Sequence, residues 1–482
     1  MLIKKYHQMF ILHAQTTVLK RKILPLIYFS SIGLLIWVMW CVFNTGRMLE
    51  KGTATQSLPA QKQLIAEIAD SFSHPLAIFI LQLTLIITVS QLCGYLFKKI
   101  GQPAVMGEIA AGIFLGPSLM GSLLPKFSAF VFPAASLGNL QMLSQIGLIL
   151  FMFVIGMELD TKTLKQKAGS AIFISYMSIV IPFVLGIGLS WLLYADNAPQ
   201  GIPFYAFSLF TGIALSITAF PVLARIIRER NLSNTRLGLI AITAAAAGDV
   251  AAWCILAFIV AIVKAGSINS SLYTIIAAIV YVVIMIMAVK PMLKKLAGLN
   301  GDQGTMKRTS MAIIFVVLLV SSYCCEVIGI HALFGAFLAG VIMPSEWNFR
   351  KLLIDKIEDV ALVLLLPLFF VFTGLRTQIG LISEPSQWVT CALIISVAVT
   401  GKFAGSAIAA RITGETVKTS LSIGALMNTR GLVELVVLNI GYDLKIITPQ
   451  MFAMMVIMAL FTTLMTNPSL NLINRIFKEQ DS

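Results

Sequence analysis

Charge is scarce in this sequence: Asp, Glu, Lys and Arg make up 12% of 482 residues, against 58% hydrophobic. Soluble domains carry roughly 25% charged residues, so a water-facing surface around most of this chain is excluded and lipid is its principal solvent. Cysteines are few, and Cys41, Cys93, Cys254, Cys324, Cys325 and Cys391 lack metal-ligand spacing and lie in or at the ends of apolar segments. They read as small apolar side chains. Long polar stretches are missing too, so no nucleotide-binding regulatory domain is expected. Acids are outnumbered, 21 against 35 bases, for a net charge of +14. The bases fall in short clusters between apolar runs, not in the continuous patch that phosphate backbones need, so no nucleic-acid partner is expected.

What is present is a long series of apolar runs. A helix needs roughly 20 mostly apolar residues to cross the hydrocarbon core, and the chain offers fourteen candidates, from Ile23–Phe43 and Pro75–Phe97 to Val417–Gly441 and Pro449–Thr466. The tenth, His331–Pro344, is short. Cytoplasmic loops should hold the excess of Lys and Arg. With both termini inside, that side receives 26 of them and the other side 7, while Lys402 and Arg430 lie within spans. The expected fold is therefore an all-α polytopic membrane protein with both termini cytoplasmic, thirteen core spans and one N-terminal helix. The bases Lys20, Arg21 and Lys22 before the first run suit a cleaved signal peptide or a retained signal anchor; its apolar stretch is long for a signal peptide, which favours the anchor.

Many transporters consist of two repeats of opposite orientation, and the chain contains an echo of that kind. Gly112 to Ser118 in the third span is similar to Gly335 to Ser345 in the tenth, and Leu150 to Gly156 in the fourth to Leu368 to Gly374 in the eleventh. An offset of seven spans is odd, as an inverted repeat requires; chance likeness between Gly-rich apolar strings is the alternative. The same offset pairs the sixth span with the thirteenth. Both are interrupted by polar, helix-breaking stretches: Ser216, Thr218 and Pro221 in one, Asn428, Thr429, Arg430 and Gly431 in the other. Unwound backbone at membrane depth is tolerated where it lines a cavity, and half-helix ends there suit ions.

The seventh span carries Asp249 near its middle, within Ala244-Ala-Ala-Ala-Gly-Asp. Desolvation makes a lone carboxylate expensive, so a proton and a metal ion can compete for it near neutral pH. The alternative is an interhelical strut. Of the other intramembrane charges, Arg430 and Glu434 are spaced i,i+4 and can pair with each other. Lys402 has no sequence-local partner and must pair across helices or give up its proton, and Glu108, one turn into the third span, suits helix-end or packing duty.

These residues carry a resemblance. Gly101-Gln-Pro-Ala-Val-Met-Gly-Glu108, Thr218-Ala-Phe-Pro-Val-Leu-Ala-Arg225, the Asp249 segment, Gly401-Lys402 and Asn428-Thr-Arg-Gly-Leu-Val-Glu434 are similar to the monovalent cation:proton antiporter-2 family, over roughly residues 75–468. The last motif resembles most the branch of plant and fungal organellar exchangers and their bacterial relatives. The resemblance implies exchange of Na⁺ or K⁺ for protons with no cofactor, a homodimer, and an elevator motion of an ion-carrying core against a dimerisation scaffold. By position, Asp249 matches the ion-binding aspartate, Ser216 and Thr218 lie in its broken helix as candidate ligands, and Lys402 matches a lysine near the site. Family members that move net charge have two adjacent acids. Here Gly248 stands before Asp249, so one-for-one electroneutral exchange is expected.

The expected organisation is then a cytoplasmic N-terminus, anchor helix and outer linker (1–74), scaffold helices (75–169), the first half of the transport core (170–264), a linking helix and scaffold (265–386), the second half of the core (387–468) and a tail (469–482). The expected location is a bacterial inner membrane. Two other classes compete with this reading. An intramembrane aspartyl protease needs two facing aspartates, for which Asp443 after Tyr442 is the only partial match to Asp249. A channel, or a sensor that keeps the fold without transporting, needs no alternating carboxylate.

Overall fold

A computed structural model describes residues 33–34, 37–45, 74–158, 168–232, 235–265, 268–299, 308–344 and 347–478. Of the first expected span only its last part is described. Residues 37–45 are helical and belong to a unit, Met1–Phe72, distinct from the unit Ser73–Ser482; the remaining expectations for residues 1–72 lie outside the described residues.

The described residues of the large unit form helices and no strands. Eleven helices are long and apolar enough to cross a membrane, and twelve when Val417–Met427 and Leu432–Asp443, bent by 42° at their junction, count as one span. The expected tenth span is the ten-residue helix Ala332–Val341. Each expected span from the second onward coincides with one of these helices. Local chemistry sets several starts. His74 caps Pro75–Lys99 through its ring nitrogen, Thr416 caps Val417–Met427, and Glu384 with Gln387 forms a reciprocal box before Pro385–Val399.

Without a hydrophobic drive between helices in lipid, close packing rests on small residues. Here it takes a paired form. A Cβ on Gly107 would collide with the Cys93 carbonyl, and one on Gly335 with that of Ser321. Gly374 packs against the backbone of Gly112, and Gly156 against Gly340 and the Phe337 carbonyl. Cys93, Gly107 and Gly112 thus have counterparts at Ser321, Gly335 and Gly340, each 228 residues on. The sequence likeness sets Gly112 against Gly335. By packing contact alone, Gly112 and Gly340 play matching parts, each lying against the backbone of another helix.

Candidate functional site

The first broken helix runs Phe204–Ser216, opens over Ile217 to Ala219, and resumes as Phe220–Glu229. Pro221 occupies the first turn of the second piece, where its missing N–H costs nothing, and the chain before it is extended. The second runs Val417–Met427, opens over Asn428 to Gly431, and resumes as Leu432–Asp443. The two openings satisfy each other. The Ala219 N–H donates to the Thr429 carbonyl at 3.1 Å, and the Thr218 hydroxyl lies 3.4 Å from the Met427 carbonyl. Gly431 has φ +151°, and a Cβ there would stand 3.0 Å from Val222 Cγ2, so both conformation and space call for glycine.

Helix C-termini leave carbonyls unpaired and carry a partial negative charge. At the end of Phe204–Ser216 two cations answer it. Arg430 donates to the Ala214 carbonyl at 2.9 Å and to the Leu215 carbonyl at 2.5 Å, and the Lys402 ammonium donates to the carbonyl of Ser216. Arg430 also meets Glu434 at 2.8 Å, the i,i+4 pair expected from spacing, and both side chains are wholly buried. Thr463 on the last helix accepts from the Arg430 N–H at 3.0 Å and donates to its carbonyl at 2.8 Å. Lys402 lies in a wide π turn, Thr400 to Ala404, and Gly401 lets that turn close onto Pro182. Lys402 therefore pairs across helices: with a backbone carbonyl directly, and with Asp249, Glu434 and Arg430 as its charged neighbours.

Asp249 is 1% exposed, and neither of its carboxylate oxygens has a hydrogen-bond partner among the described residues. Lys402 acts on it electrostatically, and the Phe220 N–H, at the positive start of Phe220–Glu229, faces it. Buried Ala244, Ala245 and Ala246 keep its helix close to its neighbours. Burying a carboxylate costs several kcal/mol unless it is paired, and Lys402 is the charged neighbour of this one. Gly248 faces the Ser175 hydroxyl, 3.3 Å from where a Cβ would stand.

The predicted polar groups divide. Asp249, Lys402, Thr218 and the Asn428 to Gly431 break converge around the crossing, and the Asn428 side-chain oxygen is also buried without a partner. The Ser216 hydroxyl donates to the Gly212 carbonyl at 2.7 Å and the Ile179 carbonyl at 3.0 Å, both shorter than the 3.4 Å contact of Thr218. Thr218→Val is accordingly expected to raise the half-saturating cation concentration severalfold with little change in maximal rate. Ser216→Ala should do much less, because its hydroxyl is the more tightly held by backbone carbonyls. Equal effects, read from cation titrations of proton flux, would contradict this. Thr463 was missed, although its place in Thr462-Thr463 inside an apolar span was a signal. Glu108 feels Arg225 and Lys98 and lies outside the crossing. Asp443 is held by Arg376 at 2.7 Å at a helix end, away from any pairing with Asp249.

Comparison with known proteins gives this geometry a family. The sodium/hydrogen exchanger transmembrane family matches residues 85–473. The Na⁺/H⁺ antiporter NhaS4 of Synechocystis is 41% identical over 397 residues, covering 82% of this chain and 97% of that protein. Cation/H⁺ antiporter 17 of Arabidopsis thaliana is 43% identical over 82% of this chain and 48% of its own, and K⁺/H⁺ antiporter 1 of Saccharomyces cerevisiae 31% identical over 83% and 47%. The chain thus spans about half the length of these plant and yeast relatives. The sodium proton antiporter MjNhaP1 of Methanocaldococcus jannaschii shares the fold, with a TM-score of 0.61 at 15% identity over 83% of this chain and 99% of that one.

Proposed function

This chain belongs to the sodium/hydrogen exchanger family, and we propose that it is an antiporter exchanging Na⁺ or K⁺ for protons across a membrane, with Asp249 binding proton and cation in turn. The observation that carries this reading is the Asp249 carboxylate, buried beside the crossing of two broken helices with Lys402 as its charged neighbour. A cation there finds one negative charge, with the Thr218 hydroxyl, the Asn428 side-chain oxygen and nearby carbonyls as neutral ligands. A proton neutralises the same carboxylate. Lys402, Arg430 and Glu434 hold the half-helix ends, and no cofactor takes part. Pro221, Thr429 and Gly431 keep the crossing open. Against the protease reading, Asp443, the aspartate it would pair with Asp249, is engaged with Arg376 at a helix end.

Around this site, residues 170–264 and 387–468 form the moving core, and 75–169 with 265–386 the scaffold and homodimer contact. The glycine contacts recurring at 228 residues support an inverted repeat, and the distribution of Lys and Arg supports cytoplasmic termini. The test is proton flux in sealed vesicles as Na⁺, K⁺ and Li⁺ are added singly. Cation-dependent flux supports exchange. Conductance without it would sustain the channel instead.

With Gly248 in place of a second acid, exchange is expected to be one for one and insensitive to membrane potential. Each net charge moved would couple to the potential by about 2.3 kcal/mol per 100 mV. Initial rates at zero and negative clamped potential should therefore agree. A potential-driven rate that vanishes in Lys402→Gln would instead assign a second proton to the lysine.

A further inference from the structure

Away from Asp249, a cavity of about 380 Å³ opens at the end of the bundle where the helix Pro75–Lys99 finishes. Its polar wall is Lys98, Gln102, Arg230, Asn467 and Asn471, completed by the Gly101 backbone and Ile226, and it contains no acid. Three segments far apart in sequence meet there. The Asn467 amide donates to the Gly101 carbonyl at 2.8 Å, and Arg230 is held by Asn467 through Nε at 3.0 Å and by Asn471 through Nη1 at 2.8 Å. Its Nη2 reaches the Asn467 carbonyl at 3.2 Å.

Two features of this wall ask for a ligand. Neither Lys98 nor Arg230 forms a salt bridge among the described residues. The bonds to Asn467 and Asn471 fix the guanidinium plane and leave part of its five-donor fork unused. Glu108 is within electrostatic reach of Lys98 but also of Arg225, and it does not line the cavity. The second feature is Gln102: its amide nitrogen reaches the Leu464 carbonyl at 3.4 Å, while its oxygen is buried with no donor facing it. Buried acceptors are rarely left so.

We propose that this cavity binds a phosphate ester bearing a free hydroxyl, with the phosphate between Lys98 and Arg230 and the hydroxyl donating to Gln102 Oε1 once a turn of the Gln102 amide brings that oxygen to the cavity. Fixed guanidinium planes suit phosphate oxygens and a flexible ammonium supplies the second charge. A glycerol phosphate has this chemistry either free in solution or as the headgroup of phosphatidylglycerol.

The experiment follows thermal stabilisation of the purified full-length protein. One arm titrates glycerol 3-phosphate or inorganic phosphate in neutral detergent; the other titrates phosphatidylglycerol into phosphatidylcholine bilayers. Saturable stabilisation in the first arm identifies a soluble ligand, and in the second alone a lipid headgroup. Lys98→Gln combined with Arg230→Gln should raise the half-saturating concentration at least about tenfold, equivalent to 1.4 kcal/mol. Lys294→Gln with Lys295→Gln, an equal charge change on an exposed surface elsewhere, should leave it unchanged. Lys98→Gln alone breaks no structural bond and should still weaken binding severalfold, which guards against misfolding of the double variant. Gln102→Leu should weaken glycerol 3-phosphate but not inorganic phosphate. No stabilisation in either arm, or equal losses in the Lys294 and Lys295 control, would overturn the site.

Discussion

Asp249→Asn is expected to reduce cation-dependent proton movement to that of protein-free vesicles while leaving the protein folded. The amide is nearly the same size as the carboxylate, so the packing around Ala244 to Ala246 is undisturbed. What it loses is the ability to alternate between a neutral protonated form and a charged cation-binding form, and the exchange cycle needs both. Stability should move the other way. The wild-type carboxylate is buried, and replacing a buried acid with a neutral amide relieves its desolvation penalty. The variant should therefore melt at the same temperature as wild type or higher. Loss of transport with unchanged or raised stability separates a carboxylate kept for ion exchange from an interhelical strut, which would weaken the fold when altered. Full exchange by a folded Asp249→Asn protein would sink the central reading.

The largest stability effect is expected at Arg430. Replacing it with Met removes the bonds to the Ala214 and Leu215 carbonyls and strands Glu434, all within a fully buried region. Breaking one side of a buried ion pair costs about 3–5 kcal/mol, enough to reduce the yield of folded protein sharply. The double variant Arg430→Met with Glu434→Leu removes the stranded charge and should recover much of the loss, because a buried pair replaced by apolar groups is often neutral. Denaturation in detergent of the two single variants and the double closes the cycle. A double variant as unstable as Arg430→Met would show that the carbonyl bonds at the half-helix end, not the ion pair, hold the crossing together. Lys402→Met should destabilise less, since it frees the Ser216 carbonyl but strands no acid that has lost its only direct partner.

Much of this architecture is legible in the linear chain because lipid imposes a simple code. Backbone polar groups cannot face hydrocarbon, so spans must be helical and about 20 residues long, and Pro75–Lys99 through the last helix, Pro449–Lys478, follow from hydropathy alone. The candidate carboxylate is legible for the same reason: an acid such as Asp249 in the middle of an alanine-rich apolar helix is costly enough that it points to function by itself. The helix breaks are visible as well, through Pro221 and Gly431, whose backbone preferences interrupt helices wherever they occur.

Tertiary structure decided what these parts do to one another. No spacing rule places Lys402 on the Ser216 carbonyl or Arg430 on those of Ala214 and Leu215, because these contacts join segments about 190 to 220 residues apart and depend on helices that cross only once folded. Ser216 and Thr218 look alike as candidate ligands in sequence. They part company because Ser216 ends a helical turn and bonds back to Gly212, as serines in helices do, whereas Thr218 sits in extended chain beside the second break. The glycines show the same division. Composition reveals Gly-rich echoes, but that Gly112 lies against Gly374 and Gly340 against Gly156 is set by where two backbones come close enough to exclude a Cβ, a quantity that exists only in three dimensions.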